Sequence, residues 1–276
     1  MSHAAGQTGP QSLPCILSID LACVDWRSIG VALVRPNGAQ LIEVPHRGRP
    51  TAEAVLAWIR TLLREYPITG LCIDGPLGWR APDGGAPHCR EAERVVRAPG
   101  KTGLPPDGVK PASYLGFTRF SIALFEALTM DDGWRLPGQV TTGSQAPVPS
   151  YGSQRSRFVT ECFPTAIWRG LGVAPLKAKA RATPADVALA RAQLEALTGL
   201  SITSEGSVVP SHDQLQAVVG GVAGLRWAIG DPSARLAGVP PIRLDGSWRE
   251  GYILTLGPLS DSPSSSSAAH VPVFPS

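Results

Sequence analysis

Two short apolar runs stop on the same kind of residue: Leu17-Ser18-Ile19-Asp20 and Leu71-Cys72-Ile73-Asp74. Runs of this length bounded by turn signals suit buried strands. The helical segment between them, Thr51 to Tyr66, has the length that a crossover joining parallel strands requires. The pattern predicts two aspartates ending neighbouring strands, at the edge of a parallel sheet where ligands and chemistry collect. A single strand-ending aspartate can do no more than cap a turn. Its repetition favours chemistry.

Other residues with chemical capacity each carry a plainer reading. Asp213 lies two positions beyond Ser211, the expected N-cap of a long helix, where the helix dipole favours an acid whatever its function. Glu161 has Arg157 and Arg169 as candidate ion-pair partners, and Asp25 reads as a solvated turn aspartate. His212 suits acid–base work near neutral pH, or a structural place at a helix start. Arg90, Arg94 and Arg97 recur at helical spacing, which predicts one face able to clamp phosphate or to pair with Glu91 and Glu93. Lys177 and Lys179 follow a short helix and are candidates for phosphate contact. Gly103 to Lys110 imitates a P-loop but places its lysine one residue late, with Pro111 where a helix should begin. Gly220-Gly221-Val222-Ala223-Gly224 falls inside a helix and is no dinucleotide fingerprint. No HExxH zinc helix and no GxSxG nucleophile elbow occur.

The elements that must position these residues follow from pattern. After Asp20, Ile29 to Val34 makes a second strand, Arg35-Pro36-Asn37-Gly38 a turn, and Ala39 to Val44 a third strand, an antiparallel meander. Thr51 is the expected N-cap of the next helix, with Val55, Leu56, Ile59, Leu62 and Leu63 on one side. The Asp74 strand follows, closed by Gly75-Pro76. From about 77 to 157 the texture turns to Gly and Pro, with helices predicted near His88 to Arg97 and Ser113 to Leu128. A segment this long inside a compact domain is functional or disordered, and reads as an insertion overhanging the carboxylate edge. Phe158 to Cys162 makes a fifth strand, Pro164 opens a short helix, and Pro184 to Leu197 and His212 to Ile229 are helical. A late strand spans Tyr252 to Leu256. Residues 1–13 and the Ser/Pro-rich 258–276 have little to bury and are expected to be disordered, leaving one domain over 14–257.

The chain has 276 residues, 43% hydrophobic and 17% charged, with a formal net charge of +3. That suffices for one good core. It permits a phosphate-rich partner such as nucleic acid without demanding one. Five cysteines, odd in number and without a CxxC pair, read as reduced thiols of a cytoplasmic protein. Neither a signal peptide nor a stretch of membrane-spanning length is seen, so no membrane partner is expected. The oligomeric state is left open by the sequence.

The order of elements, three meander strands, a helix, a strand ending in Asp, another strand and a helix with an acid near its start, is similar to the ribonuclease H-like fold. At motif level, Ile19-Asp20, Ile73-Asp74-Gly75-Pro76-Leu77-Gly78, Cys89-Arg90-Glu91 with Arg94 and Arg97, Glu161-Cys162-Phe163-Pro164, Lys177 and Ser211-His212-Asp213 together resemble DUF family 429. These are predicted ribonuclease H-like nucleases, and the resemblance spans about Cys15 to Leu256. It implies a mixed five-stranded sheet flanked by helices. It also implies Asp20, Asp74 and Asp213 as ligands of Mg²⁺ or Mn²⁺, with Glu161 as a fourth acid, and phosphodiester hydrolysis on nucleic acid. Two hard cations about 3.5–4 Å apart can hold the attacking and leaving oxygens of a phosphodiester, and carboxylates are the ligands such ions prefer. Two other readings share the sheet. Actin- and sugar-kinase-like phosphotransferases carry a glycine-bearing phosphate hairpin after the first strand, where this chain has Leu21-Ala22-Cys23-Val24-Asp25. A non-catalytic module would keep the fold without converging carboxylates.

Overall fold

The computed structural model describes residues 13–84, 88–99, 101–102, 109–139, 157–204 and 209–257. The chain ends expected to be disordered lie outside the described residues but for Leu13, as does most of the P-loop-like Gly103 to Lys110.

Strands β1 (Ile16–Asp20), β2 (Gly30–Arg35) and β3 (Gly38–Leu41) form the meander, with Pro36 and Asn37 in the connecting turn. Helix α1 (Ala52–Glu65) crosses to β4 (Gly70–Asp74). The Thr51 hydroxyl accepts from the Ala54 amide, and Val55, Leu56, Trp58, Ile59 and Leu62 are buried along one stripe. Pro67 follows at once, and the residue before a proline is disfavoured in the helical region, so the helix ends there. The insertion holds α2 (Glu91–Val95), the two-residue strands β5 (Lys101–Thr102) and β6 (Val109–Lys110), and α3 (Leu115–Met130). Then come β7 (Phe158–Cys162), α4 (Pro164–Gly170), α5 (Pro184–Thr198), β8 (Ile202–Ser204), α6 (His212–Ala228), β9 (Ala234–Leu244) and β10 (Ser247–Leu256).

The large sheet runs β8-β3-β2-β1-β4-β7-β10-β9. β1 pairs antiparallel with β2 and parallel with β4, and β4 pairs parallel with β7. The central order β3-β2-β1-β4-β7 with β2 reversed is the ribonuclease H-like topology. The five strands that the resemblance implies, and the late strand expected over Tyr252 to Leu256, are therefore present inside an eight-stranded sheet. The surplus strands lie at its two edges. β9 was hidden by Gly238 and Pro240-Pro241, which suit an edge strand but not a central one. A usable signal was present: Asp245-Gly246 joins β9 to β10 with positive φ at both residues, 52° and 77°, the geometry that Asp-Gly favours in hairpins.

Successive strand residues face opposite sides. Leu17, Ile19, Leu71, Ile73 and Val159 pack with α1 and α3, whereas Ile16, Cys72 and Cys162 pack with α6, α4 and α5. Helix α6 lies unusually close to the sheet. A Cβ at Gly224 would meet Cys72 Sγ at 2.4 Å and Ile16 Cγ2 at 2.8 Å, and one at Gly220 would meet Ser18 Oγ at 2.6 Å. The glycines that weaken this helix locally are what bring its first turn down to the ends of β1 and β4. All five cysteines are free, and Cys15, Cys72 and Cys162 are buried.

Candidate functional site

Asp20 and Asp74 are direct partners in the parallel β1–β4 register. Their side chains lie on the α6 side of the sheet and are within hydrogen-bonding reach of each other. Both keep partial access to solvent, yet protein surrounds them on most sides. Burial first, then the charges of Asp74 and Asp213, hold the Asp20 carboxyl well above the ordinary range, with Lys179 pulling the other way. Asp74 is pushed from 3.8 to about 7 by burial and by the charge of Glu161, opposed by the hydrogen bond from Asp20. Near neutral pH the two carboxyls thus hold a proton between them. Like charges this close cannot both ionise without a compensating cation.

The start of α6 delivers Asp213. Ser211 caps the helix in a reciprocal box with Gln214, and Gly30, the β2 partner of Asp20, lets the helix approach. A Cβ there would fall 2.0 Å from the Asp213 carbonyl oxygen. The Asp213 carboxylate is nearly buried and doubly engaged: one oxygen meets Lys179 Nζ, and the other lies 3.1 Å from His212 Nδ1. Lys179 also donates to Ser28 Oγ at 3.3 Å. The other ring nitrogen of His212 lies 3.0 Å from the Lys177 carbonyl oxygen, so the imidazole ties α6 to the Lys177–Lys179 segment. Lys177 itself is exposed and pairs with Asp186 at 2.8 Å.

Glu161 takes a different course. It is in register with Ile73 rather than Asp74, so its side chain leaves the sheet on the opposite side, beneath the insertion. Arg90 holds it through two hydrogen bonds, Nη2 to Oε1 at 2.7 Å and Nη1 to Oε2 at 2.8 Å, and the Leu77 amide adds a third at 2.8 Å. Arg90 Nε also reaches Glu93 Oε1 at 3.1 Å and Thr102 Oγ1 at 2.8 Å. Burial raises the Glu161 pKa and Arg90 opposes it. Glu161 is committed to an ion pair, with Arg90 rather than the expected Arg157 or Arg169, and is not aimed at the aspartates.

The expected arginine face does not form. Arg90 is 0% exposed and precedes α2 as its N-cap in extended conformation. Arg97 lies beyond the helix with a φ of 56°. Arg94 pairs with Glu91 on the surface. A predicted helix from His88 to Arg97 shrinks to Glu91–Val95 because the buried Arg90–Glu93–Glu161 contacts fix where it starts. Sequence offered no sign of Arg90 meeting Glu161, 71 positions away.

For a divalent metal, the chemistry of the Asp20–Asp74 pair fits one hard cation, with oxygen donors and negative charge in excess. It does not provide a two-ion cage. Among the described residues, no group of three or more His, Cys, Asp or Glu side chains is gathered tightly enough to enclose a metal. Asp213 is close enough for Asp20 to feel its charge, but it is occupied by Lys179.

This α/β sheet with carboxylates at the ends of its central strands belongs to the ribonuclease H-like fold class. No family model matches the chain, and no curated protein matches it. Two solved structures of Thermus thermophilus RuvC are similar in shape. One, in complex with a Holliday junction substrate, has 10% identity and a TM-score of 0.38, covering 79% of this chain and 96% of that one. The other has 10% identity and a TM-score of 0.36, covering 78% and 96%. Among the described residues no helix is long and apolar enough to cross a membrane.

Proposed function

We propose that this protein is a divalent-metal-dependent phosphodiester hydrolase acting on nucleic acid, with Mg²⁺ or Mn²⁺ held by Asp20 and Asp74. The observation that carries the reading is the in-register aspartate pair, whose surplus negative charge the protein leaves to a shared proton. A bound cation would polarise the phosphorus–oxygen bonds and favour hydroxide over water. The remaining work falls to residues of the chain. Asp20 and Asp74 set the cation's place at the ends of two rigid strands. Lys179, half exposed, offers its ammonium to a phosphate oxygen, and His212 keeps Asp213 and the Lys177–Lys179 segment aligned. The mild positive net charge of +3 is compatible with a polyanionic substrate.

A kinase-like reading has less support. The β1–β2 connection carries a short turn, Trp26–Ser28, capped by the Asp25 side chain, where a phosphate-binding glycine hairpin would be needed. The test is cleavage of labelled single-stranded and structured oligonucleotides by the full chain with Mn²⁺, Mg²⁺ or EDTA. Cleavage should require the metal and be lost in Asp20→Asn and Asp74→Asn. Undiminished cleavage in both variants, or hydrolysis of ATP but of no phosphodiester, would overturn the reading.

A further inference from the structure

The engagement of Asp213 bears on how many cations this site takes. Its carboxylate is only 8% exposed, and both oxygens have partners from the chain. Lys179 is not a surface lysine that happens to fall nearby. It opens the short turn Lys179–Arg181, two residues after Lys177, whose carbonyl is bound by His212 at 3.0 Å. The segment leads directly into α5, where Thr183 and Asp186 form a reciprocal cap. A third contact, to Ser28 Oγ at 3.3 Å, places the ammonium between the start of α6 and the β1–β2 connection. The lysine is thus steered from both sides onto Asp213, near enough to Asp20 for its charge to be felt there.

We propose that the Lys179 ammonium stands in place of one of two metal ions, so that the site admits a single divalent cation on the Asp20–Asp74 side. This rests on the metal-dependent reading above and specifies it. Formal charge agrees. Lys179 offsets one of the three carboxylates, Asp213, and leaves Asp20 and Asp74 as the acids without a lysine of their own. Steric logic agrees as well, since a second ion on Asp213 would need the position that the ammonium holds, and two such cations repel at close range.

The experiment counts ions rather than turnover. The full chain is titrated with Mn²⁺, and free and bound ion are followed by electron paramagnetic resonance and calorimetry. The wild type should bind one ion. Lys179→Met, which keeps the apolar stem and removes the charge, should bind two, and Lys179→Arg should bind one. Thermal melting of each variant checks folding; if Lys179→Met does not fold, the wild-type count and Lys179→Gln decide. Two ions on the wild type, or one on a folded Lys179→Met, would overturn the inference and leave the metal reading intact. No Mn²⁺ bound by wild type or variants would remove the metal reading itself.

Discussion

Two groups of carboxylates sit one strand apart at the same end of the sheet and are treated in opposite ways. Under the insertion, Glu161 and Glu93 are closed around Arg90, which is fully buried. Burial disfavours the guanidinium's charge, but the two glutamates outweigh it. On the α6 side, Asp20 and Asp74 face each other with no ion-pair partner among the described residues and hold a proton instead. The first arrangement is complete as folded. The second is left short by a positive charge, and the difference separates acids that build the fold from acids available to a ligand. Asp213 stands between, met by a half-exposed lysine and by the His212 ring.

The most damaging change should be Arg90→Ala. Removing one partner leaves two buried carboxylates uncompensated, and breaking such a pair costs about 3–5 kcal/mol. Denaturant unfolding should show this loss, and adding Glu161→Gln should recover part of it. A cost under about 1 kcal/mol would mean that the cluster is wet and the contrast false.

Asp74→Asn should act with the opposite sign. Between pH 3.8 and about 7 the folded protein keeps a proton on Asp74 that the unfolded chain releases. Metal-free stability therefore falls as pH rises through that window and stays low above it, by something on the order of 2–4 kcal/mol. Asparagine carries no charge and should flatten this dependence, leaving the variant more stable than wild type at pH 8 in EDTA. Mn²⁺ should restore the wild type and do little for the variant. Parallel pH profiles in the two proteins would show that the pair is not strained.

Much of this contrast could not be read along the chain. The Leu17-Ser18-Ile19-Asp20 and Leu71-Cys72-Ile73-Asp74 repeat announces two strand ends because their side chains alternate locally, and the register follows from a crossover of ordinary length. Ser211 and Thr51 announce helix starts by the same kind of local chemistry. Glu161 was legible as an acid at a strand end. Its partner was not, since Arg90 arrives from an insertion whose path no periodicity encodes. The side to which Glu161 points depends on its register with Ile73, which is a fact of pairing. Lys179 lay in view beside Lys177, and only the folded chain distinguishes the lysine that meets Asp213 from the one that meets Asp186.

Gly30→Ala probes the intermediate case. A methyl group 2.0 Å from the Asp213 carbonyl cannot be accommodated unless the start of α6 retreats. Strain of this kind costs about 1–3 kcal/mol. The expected result is a modest loss of stability with weakened Mn²⁺ affinity, while Asp20 and Asp74 keep their β1–β4 register. Unaltered affinity despite lowered stability would place Asp213 with the fold-building acids.

The smallest effect is expected at Arg94 and Arg97. Arg94 is spent on Glu91 in an exposed pair, of a kind worth roughly 0–1 kcal/mol, and Arg97 is exposed beyond the end of α2. Replacing both by alanine should leave the unfolding midpoint nearly unchanged. Nucleic-acid binding discriminates more finely, because every phosphate that a protein neutralises adds about 0.9 to the steepness of log affinity against log salt on duplex DNA and about 0.7 on single strands. With Arg90 buried, Arg94 paired to Glu91 and Arg97 outside α2, the three-arginine face is gone, so the slope of the double variant should match wild type. A slope shallower by the equivalent of one phosphate would restore the clamp and turn the outer surface of the insertion from a structural cover into part of the substrate path.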